Sequence, residues 1–74
     1  MPELRVKSEI AGSVWKILKQ PGEALEAEEA VLLLESMKME IPVEAPVSGT
    51  VADVKVAPND QVQEGDLLAV IDAG

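Results

Sequence analysis

The chain has no cysteine and no histidine, and its only aromatic residue is Trp15. Without cysteine no disulfide can form and no thiolate can hold a metal. Without histidine the commonest metal ligand and the commonest general base are missing. Neither a Ser/His nor a Cys/His nucleophile system can be assembled. Carboxylates, lysines and hydroxyls remain, and a chain of 74 residues has no deep interior to desolvate them. An enzyme acting alone is therefore not expected. Basic residues are also scarce: six Lys and Arg stand against fourteen Asp and Glu, a net charge of −8. Such a surface repels nucleic acid phosphates and anionic membranes, so neither is an expected partner. The charge suits solubility, or partners that present basic surfaces. No apolar run approaches the ~18 residues of a membrane span. Met1-Pro2-Glu3-Leu4-Arg5 lacks the apolar segment of a secretory signal, which leaves the cytoplasm as the expected compartment.

What is present is aliphatic and repetitive. The apolar residues are mostly Val, Leu, Ile and Ala, which suits strands packed closely on each other. Residues 1–74 read as one domain. Sliding the sequence by 37 positions lays one half on the other. Gly12-Ser13-Val14 falls on Gly49-Thr50-Val51, Ile17 on Val54 and Pro21 on Pro58. Glu23 falls on Asp60, Leu25 on Val62 and Glu29 on Asp66. Val31-Leu32-Leu33-Leu34-Glu35 falls on Leu68-Ala69-Val70-Ile71-Asp72. The match breaks at Lys19 against Val56 and at Glu28 against Gly65. Neither half could bury a core alone, so the halves must share one about a pseudo-twofold axis.

Within each half the pattern is that of strands. Val14, Lys16 and Leu18 alternate with Trp15, Ile17 and Lys19; Val51, Asp53 and Lys55 alternate with Ala52, Val54 and Val56. Turn residues stand between: Pro21-Gly22, Pro42, Pro46, Ser48-Gly49, Pro58-Asn59-Asp60 and Glu64-Gly65-Asp66. Asn59 tolerates positive φ and can stand where its counterpart is Gly22. Glu23 to Glu35 is rich in helix formers and, read locally, is an amphipathic helix with Leu25, Ala30 and Leu33 inward. Its counterpart from Asp60 to Asp72 contains Gly65 and β-branched residues and is no helix. Symmetry outweighs propensity, and both segments are read as strand–turn–strand. The expected fold is all-β: a flattened barrel or sandwich of about eight short strands.

Symmetry also marks one lysine. Lys38 shifted back by 37 lands on Met1, and shifted forward it passes the last residue. Lys38 and the paired chain ends should therefore lie at opposite ends of the body. Glu35-Ser36-Met37-Lys38-Met39-Glu40 reads as a hairpin with Met37-Lys38 at its apex. It is not an Asn-Gly turn, so local chemistry does not force it. Spacing alone leaves two readings: two core methionines beside a solvated lysine, or exposed thioethers of the kind that adaptable contact surfaces use.

The run from Glu35 to Met39, followed by Ile41, Ala45-Pro46, Ser48-Gly49 and Val51, resembles the biotinyl domain of biotin-dependent carboxylases. Val56, Asp60, Val62, Gly65, Leu67-Leu68 and Ile71 follow the same pattern, so the resemblance runs from about Ile10 onward. It implies that the amine of Lys38 is acylated with biotin by a separate biotin protein ligase, and that Met37 and Met39 frame it for the ligase and later partners. A free lysine amine is mostly protonated at neutral pH, so the ligase must supply the deprotonation. The resemblance further implies a biotin carboxylase that charges the ureido nitrogen from ATP and bicarbonate. A carboxyltransferase then passes the carboxyl group to an acyl-CoA or a keto acid. The chain would be a carboxyl carrier, free-standing or a subunit, and a monomer in isolation.

Some positions depart from that family. Ser36 stands where Ala is usual. Glu28 stands where Gly is usual, which allows a different turn in the first half. Lipoyl domains share the fold and also modify a hairpin lysine, usually as Asp-Lys-Ala; Met37 in place of Asp favours biotin. Glu35 resembles an acidic position of lipoyl domains, which keeps lipoate as the alternative cofactor. Glu35, Glu40 and Glu44 are candidate ligase contacts, or a solvated acidic face. Gly12 and Gly49 are expected to allow tight turns or close backbone approach. Pro46 is expected to shape the turn after the hairpin. Trp15 is read as either a partly covered strand residue or a partner contact.

Overall fold

Each strand of the first half has a counterpart 37 residues on, and the pairing between strands repeats with them. The structure, a computed structural model, describes residues 3–73. In chain order the strands are β1 (Glu3–Lys7), β2 (Gly12–Ile17), β3 (Ala24–Leu25), β4 (Ala30–Ser36), β5 (Met39–Glu44), β6 (Gly49–Val54), β7 (Gln61–Val62) and β8 (Leu67–Asp72). They form two antiparallel four-stranded sheets, ordered β1-β8-β6-β3 and β5-β4-β2-β7. The shift carries β2, β3 and β4 onto β6, β7 and β8, and β5 back onto β1, so one sheet maps onto the other. The all-β, pseudo-symmetric sandwich expected from the sequence is the observed fold.

The helix-forming run from Glu23 to Glu35 is β3, a turn and β4. Its buried residues are Leu25, Val31, Leu32 and Leu34, while Ala30 and Leu33, inward in the helical reading, are only partly buried. Two hydrophobic clusters fill the space between the sheets. One gathers Val6, Leu25, Val51, Ala69 and Ile71 with Val31; the other gathers Val14, Leu32, Leu34 and Val62 with Leu68. Val31 and Leu68 are counterparts, and each reaches into the cluster built mainly on the other sheet. Each half therefore completes the core of the other.

The backbone interlocks in the same way. Gly22 N–H donates to Val51 O (2.8 Å) and Val51 N–H to Glu23 O (2.9 Å); Asn59 N–H donates to Val14 O (2.7 Å) and Val14 N–H to Asp60 O (2.8 Å). The turn of each half therefore clamps a strand of the other. Gly12 and Gly49 are the close approaches that the sequence implied. A Cβ on Gly12 would lie 2.6 Å from the Glu35 carbonyl oxygen, and one on Gly49 would meet the carbonyl of Asp72.

Four turns share one design. In 20–23, 26–29, 57–60 and 63–66 the fourth residue donates its N–H to the first carbonyl, at 3.0–3.1 Å. The third residue has positive φ: Gly22 95°, Glu28 70°, Asn59 75° and Gly65 91°. This is the dihedral signature of a type II turn, and Pro21 and Pro58 hold the second position that such turns favour. The fourth residue is acidic each time, and its carboxylate accepts the N–H of the first. Glu23 accepts from Gln20 at 2.6 Å, Glu29 from Glu26 at 3.0 Å, Asp60 from Ala57 at 2.9 Å and Asp66 from Gln63 at 2.8 Å. The first-half turn does not differ at Glu28. The pairing around it requires the left-handed conformation, and Glu28 takes it without a glycine.

The strict alternation read in β2 and β6 is interrupted. Pairing of β2 with β4 shifts register between Val14 and Lys16, and that of β6 with β8 shifts between Val51 and Asp53. Trp15 and Ala52 are the extra residues of two equivalent β-bulges. A bulge changes the side-chain phase. Val14 is buried and Ile17 packs on the same cluster, while Trp15 and Lys16 are both exposed.

Candidate functional site

The hairpin of β4 and β5 rises from this frame. Leu34, buried, pairs with Ile41; above them Glu35 pairs with Glu40 and Ser36 with Met39. β4 is also paired along its other edge with β2, where Ser13 faces Glu35. The carbonyl of Glu35 lies against Gly12, so no side chain can wedge between the two strands there. β4 is thereby held on both of its edges as far as Glu35, by β5 and by β2.

Met37 and Lys38 close it as a two-residue loop. Their φ values are 52° and 66°, and positive φ at both positions is what a type I′ hairpin turn requires. Asn and Gly enter that region readily; Met and Lys do so at a cost in backbone strain. The Ser36–Met39 pair, on a hairpin supported along β4 by β2, imposes the turn. Met37 is 93% exposed and Met39 65%, and Lys38 is exposed between them. The alternative of two core methionines is excluded by that exposure.

The hairpin tip and the chain ends lie at opposite ends of the body, as symmetry implied for the described residues. β3 pairs with Gly49 and Thr50, and Thr50 pairs with Asp72, which faces Glu3. Four residues link β3 to Ala30, and β4 then runs away to Ser36, a rise of ~20 Å. The body is 35 Å along its longest axis and 18 by 17 Å across. The placement of Met1 itself lies outside the described residues.

Glu35 and Glu40, directly opposite each other beneath the apex, are both exposed. Glu44 is not part of this group. It pairs with Ala30 at the far end of the hairpin, ~13 Å of strand from Glu40. Two clefts, of about 400 and 450 Å³, are each lined by counterpart residues of the two halves, and neither includes a residue from Glu35 to Glu40. Among the described residues no group of three acidic side chains could hold a metal. The shifted carboxylates are also elsewhere. The Glu26 N–H and the Lys19 ammonium, 3.1 Å away, hold Glu29 below the usual glutamate range. Lys55, at 2.7 Å, holds Asp53 below the usual aspartate range.

The apex thus offers one primary amine, in solvent, on a paired two-stranded base that carries the exposed carboxylates of Glu35 and Glu40 beneath it. Sequence reasoning named Lys38, Met37, Met39, Glu35 and Glu40 as candidates, and the structure brings all five to one tip. It did not assign the four acidic turn locks, although their coincidence at Glu23/Asp60 and Glu29/Asp66 was a visible signal. No helix of the described residues is long and apolar enough to cross a membrane.

Comparison with known proteins gives this geometry its context. The chain is 47% identical over 66 residues to the biotinylated protein TB7.3 homolog of Mycobacterium leprae, covering 89% of this chain and 93% of that protein. It is 45% identical over 65 residues to the biotin/lipoyl attachment protein of Bacillus subtilis, covering 88% and 89% of the two. Among solved structures it superposes on the urea carboxylase of Kluyveromyces lactis with a TM-score of 0.92 and 36% identity, covering 97% of this chain and 6% of that one. A family model described as biotin-requiring enzyme matches residues 2–71, and the chain belongs to that biotin/lipoyl family.

Proposed function

We propose that this chain is a biotin carboxyl carrier and that Lys38 is its attachment point. The observation that carries the reading is the exposed amine at the apex of a two-residue turn, flanked by two exposed methionines. A biotin protein ligase would present biotin as an acyl adenylate. The neutral Lys38 Nζ attacks the acyl carbon, the amide bond forms, and adenylate leaves. The ligase takes the amine proton. When attached, biotin supplies a ureido nitrogen that accepts and releases a carboxyl group. The chain's residues then act by position. Leu34 and Gly12 fix the hairpin base, and Met37 and Met39 provide an adaptable apolar collar. Tethering raises the effective concentration of the attached group at a biotin carboxylase and at a carboxyltransferase without new contacts. Relatives that carry this segment within long carboxylase chains support those two partners. The ligase, the monomeric state and the cytoplasm are part of the same proposal.

Intact mass after co-expression with a biotin ligase tests the reading. We expect the chain to gain one biotinyl group, and Lys38→Ala to gain none. Absence of any added mass on the parent chain rejects it. Lipoate is the second reading, favoured by the name of the Bacillus subtilis relative, a biotin/lipoyl attachment protein. Co-expression with a lipoate ligase separates the two. Met37→Asp is expected to move modification away from biotin; unchanged biotinylation removes Met37 from the basis of selectivity.

A further inference from the structure

We propose that Met37 and Met39 form an oxidisable pair that gates modification of Lys38, so that the sulfoxide form of the tip is refused by the biotin ligase. The inference rests on the carrier reading above. It adds a modification site and a regulator, a hydroperoxide.

Three observations carry it. Met37 and Met39 are the most exposed large apolar side chains among the described residues, at 93% and 65%. They flank the target amine directly, one inside the turn and one at the first position of β5. The chain has no cysteine, so no thiol competes for a two-electron oxidant. Met1 is the chain's only other methionine.

The chemistry is an oxygen transfer. The thioether sulfur attacks one oxygen of the hydroperoxide and the O–O bond breaks as the S–O bond forms. Sulfur loses two electrons. The departing oxygen takes the proton and leaves as water or an alcohol. The product is polar and chiral where the thioether was apolar and flexible. A ligase that closes over the tip must bury these side chains beside the lysine, and a sulfoxide oxygen buried without a donor is costly. The thioether's ability to refill an uneven surface is lost at the same time. The backbone cannot compensate by swinging the collar aside, because the turn is closed by the Ser36–Met39 pair on a base fixed by β2 and β5.

The test treats the full chain with hydrogen peroxide, removes the oxidant with catalase, and then adds biotin ligase, biotin and ATP. Peptide mapping should locate a gain of about 16 Da on Met37 and on Met39. The initial rate of biotin attachment should fall about tenfold or more. Methionine sulfoxide reductases should restore it. The double variant Met37→Leu/Met39→Leu keeps apolar flanks without oxidisable sulfur, and its rate should not respond to peroxide. Attachment at the untreated rate on a chain mapped as oxidised at both positions overturns the proposal. So does a peroxide response that persists in the double variant. If the Leu variant is a poor substrate, recovery of the parent chain by reductase decides instead. An untreated chain that never acquires biotin rejects the carrier reading, an outcome distinct from failure of the gate.

Discussion

Glu28 and Gly65 occupy equivalent turns and share the left-handed backbone, with φ of 70° and 91°. The N–H of each donates to an equivalent carbonyl, Glu28 to Ala45 O and Gly65 to Ser8 O, both at 2.7 Å. A side chain in this region carries a steric penalty that glycine escapes. Glu28→Gly is therefore expected to stabilise the fold by about 0.5–1 kcal/mol, after allowing for the extra freedom glycine gives the unfolded chain. In a domain of this size that is a rise of roughly 2–8 °C in Tm. An unchanged or lower Tm would show that Glu28 makes compensating contacts.

Gly12 and Gly49 predict the opposite sign. Neither needs positive φ; each needs the absence of a Cβ, because a backbone carbonyl already fills that space. Gly12→Ala and Gly49→Ala should each cost about 1–3 kcal/mol in urea unfolding, the usual penalty of overpacking. Gly12→Ala pushes on the Glu35 carbonyl and so should also slow modification of Lys38. Gly49→Ala acts at the opposite end and should leave the rate of modification unchanged at temperatures where the variant is folded.

Glu35 and Glu40 face each other as a like-charged pair, which opposes strand pairing. Glu40→Lys converts it to an attractive pair. The hairpin should gain about 0.2–1 kcal/mol. If the ligase reads the acidic tip, attachment should slow while stability rises. Faster or equal attachment with higher stability would remove Glu40 from the recognition surface.

The turn carboxylates predict a pH dependence. Glu29 is held below its ordinary range by the Glu26 N–H and by Lys19, so its ionised form is favoured by folding. Its stabilisation is present above the ordinary carboxylate range and is lost as pH falls through the lowered folded value. Thermal melts of the parent and Glu29→Gln, followed from about pH 7 to about pH 3, should show a gap that closes on acidification. Comparing the pair matters, because a chain of net charge −8 also sheds self-repulsion as its carboxylates protonate. A gap that stays constant with pH would mean that the neutral amide serves the turn as well as the carboxylate.

Much of this was legible because the repeat is strong. Matching Gly12 with Gly49 and Pro21 with Pro58 fixes equivalent backbone constraints in two places, which local helix propensity from Glu23 to Glu35 could not override. The bulges at Trp15 and Ala52 were not legible. Period-two reading assumes an unbroken ladder, and nothing in Val14-Trp15-Lys16 announces an extra residue. The turn conformation of Glu28 was hidden for a related reason: its φ is imposed by hydrogen bonds to a segment 17 residues away in sequence, at Ala45.

The sequence by itself determined the architecture, the shared core, and Lys38 as a residue of the hairpin apex, because all three follow from symmetry and side-chain period. Only the tertiary structure decided how that lysine is presented. A Met-Lys turn with positive φ at both positions has no local reason to form. It exists because β4 and β5 are paired in register to their last residues and held from the side by β2, so the chain must reverse within two residues. The methionines are exposed for the same reason: a loop of two residues at the edge of a sandwich has no core within reach.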